Sequence, residues 1–210
     1  GYSNTSGNID AFGYQALLSN TTGSNNTAIG YKSQSAVTTG SFNVSIGYNS
    51  METATSSSNI AIGHETLKIA SGGSNTAVGR GSMFSTTTGN QNTAVGYFSL
   101  FANTTGNFNT GIGYEALKNN VSGSLNAAVG IQCLIANTSG SNNSAIGFNA
   151  SSGNFSGSVI LGRDATATAS NQFVVGSAGI NAGTIVGGAN VSSQYWNVII
   201  NGVAHKILLA

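Results

Sequence analysis

Along most of this chain an Asn, a polar or aliphatic residue, a small residue, an aliphatic residue and a glycine follow one another, and the set returns every 14 to 17 residues. The closing glycines are Gly13, Gly30, Gly47, Gly63, Gly79, Gly96, Gly113, Gly130, Gly147, Gly162 and Gly176. A β-type phrase at this period, with no helical pattern between its copies, predicts a solenoid in which equivalent positions stack in columns. The expected fold class is all-β, a parallel β-roll built from coils of 14 to 17 residues.

Each glycine is taken as position 0 of its coil. Position −1 is an aliphatic column, Ile29, Ile46, Ile62, Val78, Val95, Ile112, Val129 and Ile146, continued by Leu161 and Val175. Position −2 is small: Ala28, Ser45, Ala61, Ala77, Ala94, Gly111, Ala128 and Ala145. Neighbours on a strand point to opposite faces, so both faces of this strand are dry. A thin coil buries only its inner face, and the small column is expected outward, where another chain's backbone approaches.

Position −4 is an asparagine ladder, Asn26, Asn43, Asn59, Asn75, Asn92, Asn109, Asn126 and Asn143. Asn tolerates left-handed backbone and bonds along a stack, so this column is expected to be a structural corner. Position −7 repeats glycine from Gly23 to Gly140, with Ser56 as the exception, and marks a second bend. Position +1 is rich in rings: Tyr14, Tyr31, Tyr48, His64, Tyr97, Tyr114 and Phe148, with Arg80 and Ile131 between them. Position +4 carries Leu17, Met51, Leu67, Met83, Leu100, Leu117 and Leu134, interrupted by Gln34. These two columns are expected to form the remaining strand of each coil.

Past Gly176 the register fails, which divides the chain into a repeat domain, 1–176, and a C-terminal segment, 177–210. In the latter, Asn201-Gly202 between two apolar runs predicts a hairpin with a type I′ turn, placed to cap the stack with Trp196.

Only 5% of residues are charged, far below the usual quarter. The net charge of +1 is spread over isolated lysines and arginines, so nucleic acid is not an expected partner. No stretch nears the roughly 20 apolar residues of a membrane-spanning helix, and membrane insertion is not expected. A chain opening at Gly1 without a signal peptide reads as a piece of something longer. Cys133 sits where other coils have Ala, Ser or Thr and reads as a small packing residue. The acids Asp10, Glu52, Glu65, Glu115 and Asp164 are dispersed. The adjacent His64 and Glu65 are expected on opposite faces, and His205 has no visible metal partner. No glycine cluster forms a strand-to-helix phosphate loop. The expectation is a protein that is not an enzyme and takes no cofactor or metal.

Asn-Thr-Ala-Ile-Gly-Tyr at 26–31, Asn-Thr-Ala-Val-Gly-Tyr at 92–97 and Asn-Thr-Gly-Ile-Gly-Tyr at 109–114 resemble the head repeats of trimeric autotransporter adhesins. The longer unit at 96–118, with Gly-Tyr-Glu-Ala-Leu, is more similar to repeats of bacteriophage tail fibres, as is the ending from Tyr195. The resemblance implies a left-handed roll assembled as a side-by-side homotrimer, extracellular, on a virion surface or a cell-surface appendage, with a host-cell surface glycan or protein as partner. The sequence shows neither the outer-membrane anchor of a complete autotransporter nor the self-cleaving chaperone that follows many fibre repeats; the first absence lowers the adhesin reading, and the second is compatible with a matured fibre and equally with an excised piece. The leading expectation is therefore a tail-fibre segment giving reach and adhesion. The alternatives are a bacterial adhesin head and an ice- or saccharide-binding solenoid. The binding candidates are Tyr31, Tyr48, Tyr97 and Tyr114, whose ring faces would suit sugars.

Overall fold

Eleven short strands stack in chain order into one parallel sheet. They are β1 Ile9–Phe12, β2 Asn26–Ile29, β3 Val44–Ile46, β4 Ile60–Ile62, β5 Thr76–Val78, β6 Thr93–Val95, β7 Thr110–Ile112, β8 Ala127–Val129, β9 Ser144–Ile146, β10 Val159–Leu161 and β11 Phe173–Val175. The computed structural model describes residues 7–176 and the backbone of 195–200 and 203–208. The chain divides into two units, Gly1–Ile180 and Asn181–Ala210. In the second, β12 (Tyr195–Ile200) pairs antiparallel with β13 (Val203–Leu208), Ile200 opposite Val203. The Asn201-Gly202 turn and the capping role expected for it lie outside the described residues.

In the first unit every strand pairs at the same repeat position: Ala77 lies beside Ala94, and Ala94 beside Gly111. The result is a β-solenoid, as the period predicts. Its faces are the reverse of the expected ones. Ala28, Ala61, Ala77, Ala94 and Ala128 are completely buried and share a core with Leu67, Met83, Leu100, Leu117 and their equivalents, while the aliphatic column points outward. The reason is volume. In so thin a coil two large layers do not fit between opposite walls, so a large residue on one wall requires a small one on the other. Between Gly147 and Gly162 the two sizes are exchanged: Ile160 replaces the strand alanine, and Ser151 stands at the leucine position.

The stretch after each glycine is not a second strand. It is a run of turns in which positive and negative φ alternate, with Phe98 at +52° and Leu100 at +51°, and Glu115 at +56° and Leu117 at +53°. Its N–H groups bond to neighbouring coils in both directions: Phe98 N to Arg80 O at 3.0 Å, Leu100 N to Ala116 O at 2.9 Å. Stacking supplies these partners and holds the left-handed residues in place, against their intrinsic preference.

The asparagine corner is a ladder, as expected, although the left-handed residue is the one before each Asn. Asn109, fully buried, accepts from Asn126 N at 3.0 Å and donates from Nδ2 to Gly123 O at 2.8 Å; the same pair of contacts recurs at Asn26, Asn92 and Asn126. A second buried ladder, seven residues after each glycine, escaped the sequence reading. Asn120 Nδ2 donates to Asn103 Oδ1, and Asn137 Nδ2 to Asn120 Oδ1, both at 2.8 Å. Its signal is broken by Val37, Ala54, Ala70 and Thr86, and beside those breaks Asn20 and Thr86 carry side-chain atoms with no partner among the described residues. The glycine at −7 is required by space, because both ladders converge there. A Cβ on Gly106 would lie 2.3 Å from Gly123 O and 2.4 Å from Asn103 Oδ1.

The second bend aims consecutive N–H groups at one oxygen of the next coil. Thr87, Thr88 and Gly89 all donate to Thr104 O. Where the following coil is shorter, a side chain provides that oxygen: Thr138, Ser139 and Gly140 donate to Asn154 Oδ1 at 2.9, 2.8 and 3.1 Å. In the last coil, Thr168 N and Ala169 N turn to Gln172 Oε1 of their own coil.

Candidate functional site

Two outer surfaces run along the stack, and charge separates them. Nine of the eleven charged residues, Lys32, Glu52, Glu65, Lys68, Arg80, Glu115, Lys118, Arg163 and Asp164, stand at positions +1, +2 or +5, on the turn side. Asp10 and Lys206 are the other two. From β2 to β11 the outward sheet face has no charge, and it exposes the aliphatic column from Ile29 through Val95 and Ile112 to Ile146, the last 57% exposed.

On the turn side the rings stack. Tyr14 on Tyr31, Tyr31 on Tyr48, Tyr48 on His64 and Tyr97 on Tyr114 have centroids 5.0–5.3 Å apart and planes within 17°. Arg80 enters the column between His64 and Tyr97, its guanidinium 5.7 Å from the Tyr97 centroid. Lys32, Lys68, Lys118 and Arg163 also lie over rings, at 5.4–5.7 Å. The column thus joins Tyr31, Tyr48, Tyr97 and Tyr114 into a ladder, and its geometry changes what they offer. Tyr31 and Tyr48 each have both faces against other rings, so ring edges are what reaches solvent. The interleaved cations contribute about 0.5–1 kcal/mol each at such exposed sites.

His64 and Glu65 do not point apart, since they occupy a turn: Nδ1 and Oε2 are 3.6 Å apart. Glu65 is instead hydrogen-bonded by Lys68 Nζ at 2.9 Å, and Lys68 also reaches Glu52 at 3.7 Å. The bond from Lys68 holds the Glu65 carboxyl below its ordinary 4.5, against a smaller opposing effect of burial, and the same bond raises Lys68 above 10.5. Glu115 is lowered by its bond from Lys118, 2.6 Å, and then by Gln132. Depressed carboxyls stabilise the fold above their unfolded pKa and lose that contribution as pH falls through the lower folded value. A raised lysine contributes below 10.5 and loses its share as pH rises through the folded value. Neither window falls between about pH 5 and about pH 8, and partly exposed pairs are worth only ~0.2–1 kcal/mol. The melting temperature is expected to move by less than about 5 °C across that range, which scanning calorimetry at two pH values checks.

Cys133 is buried, with Sγ 3.4 Å from Ala145 O, and burial pushes its thiol up to about 11. Thiol reagents are expected to leave it untouched at neutral pH in the folded chain and to modify it fully in denaturant; fast labelling of the native protein would contradict this. Among the described residues no group of three His, Cys, Asp or Glu side chains gathers as a metal site, and no helix is long and apolar enough to cross a membrane. At the second bend Thr21, Thr87 and Thr104 donate from Oγ1 to the next coil's carbonyl at 2.9–3.1 Å.

No family model matches the chain, and no curated protein or solved structure is significantly similar to it.

Proposed function

We propose that this chain is a segment of a virion tail fibre, built from three copies packed side by side as left-handed rolls, which gives reach and host-surface adhesion outside the cell. The observation that carries this reading is the uncharged, aliphatic outer face of the sheet. Burying such a face along the whole rod gives a stabilisation that a single chain forgoes. Eleven strands at about 4.8 Å make a rod about 50 Å long, and four residue steps make the face about 13 Å wide. In a trimer the ~650 Å² that results is divided between two neighbours, about 325 Å² against each, so residues flanking the face have to add to it to reach the ~800 Å² per partner of a standard stable interface. Side-by-side assembly leaves the charged ring edge in solvent, where sparse ion pairs and hydroxyls keep the particle soluble. The resemblance of the repeat phrase to fibre repeats supports the same assignment, and any adhesive contact with a host glycan or protein falls to the exposed edge or to the ends.

Light scattering on purified protein tests the assembly. The expected mass is about 63 kDa, three times the 21.0 kDa chain. Ile112→Asp places a carboxylate within the face and is expected to give folded monomers at micromolar concentration. A wild-type chain that remains a well-folded monomer would falsify the proposal.

A further inference from the structure

Of the columns held at left-handed angles, the one before the corner asparagines leaves bulky apolar residues exposed. The residue before each corner asparagine has a left-handed backbone, φ +56° to +62°, and is pinned there by a bond to the preceding coil, such as Phe108 N to Asn90 O at 3.1 Å and Leu125 N to Asn107 O at 3.0 Å. Asn25, Ser58, Ser74 and Asn142 suit that conformation, since short polar side chains tolerate it best. Phe42, Phe108 and Leu125 do not, and a bulky residue held there costs of order 1 kcal/mol.

Burial within the chain gives no compensation. Phe42 is 62% exposed, Phe108 52% and Leu125 55%, and neither phenylalanine stacks on a ring among the described residues. We infer that Phe42, Phe108 and Leu125 are intersubunit contacts that bury against a second copy of this chain at the border of its uncharged sheet face. The inference rests on the side-by-side assembly proposed above and adds which residues fix it. Continuity argues for a second copy as the occupant. Phe108 and Leu125 stand in adjacent coils, each one residue before a buried Asn and two before a strand of that face, and no charge within the face calls for a charged partner. Because these side chains occupy only some coils, they also mark height along an otherwise repetitive surface, so their contacts select one register between copies.

The test is the double variant Phe108→Asn with Leu125→Asn, compared with wild type by sedimentation at several concentrations and by thermal melting. Asn relieves the backbone, so the chain is expected to fold, while the concentration for half-dissociation rises at least about tenfold. Should the double variant not fold, Phe42→Asn alone, in a separate coil, is expected to shift the same equilibrium. A wild-type trimer whose variants assemble within about twofold of its strength overturns this inference and leaves the assembly standing. A monomeric wild type overturns both and assigns these side chains to a different partner.

Discussion

Gly96→Ala is expected to break the stack in two. Gly96 has φ +140°, a backbone that residues with a side chain rarely adopt, and a Cβ there would lie 2.3 Å from Gly113 O and 2.7 Å from Gly113 C. Those atoms belong to the next coil's backbone, so no side-chain rotation relieves the contact. The conformational cost of about 1–3 kcal/mol adds to an overpacking cost of similar size, for a total of about 2–6 kcal/mol. A coil touches only its neighbours, and the damage therefore stays local. Calorimetry is expected to resolve two transitions in place of one, with hydrogen exchange accelerated from Asn92 to Gly113. A single transition within about 1 kcal/mol of wild type would show that the columns are not in backbone contact.

Asn26→Leu is expected to cost more than the same change at Asn109. The substitution keeps the branched shape of the side chain and removes two bonds, from Asn43 N at 2.9 Å and to Gly40 O at 2.7 Å. Among the described residues Gly40 O has no other donor, because the second ladder is interrupted there by Val37. Two buried backbone groups lose their partners, at about 1–3 kcal/mol each. At Asn109 the same change costs about half as much, since Gly123 O keeps a second donor in Asn120 Nδ2 at 2.9 Å. Chemical denaturation of the two variants checks the order, and equal losses would mean that the second ladder does not share the load.

The period made the parallel sheet, its register and the first asparagine ladder legible in the sequence, because each depends on residue type at a fixed spacing. Which face of the strand lies inside was not legible. Ala94 and Val95 are both apolar, and only the Leu100 side chain arriving from the opposite wall decides that the smaller of the two goes in. The turn run after each glycine was hidden for a different reason: Leu100 and Glu115 take left-handed angles that their residue types disfavour, imposed by bonds to adjacent coils. Of the candidate site, the ring column was visible, but its face-to-face stacking follows from the inter-coil spacing and withdraws the faces of Tyr31 and Tyr48. The segregation of charge to one edge was written in the positions of Lys32, Glu65 and Lys118 relative to their glycines, and it becomes meaningful only once the outward side of the sheet is known.

The uniform register has a kinetic consequence. Parallel sheets ordinarily form slowly because their strands are distant in sequence, yet here Thr93 pairs with Thr110 and Thr110 with Ala127, each separated by 17 residues. That separation, divided by chain length, corresponds to a relative contact order of about 0.08, a value characteristic of helical bundles. Once two coils have docked, each further coil closes a loop of the same short length onto a finished template. Growth by this zippering allows the solenoid to be lengthened by whole repeats without slowing the search that folds it.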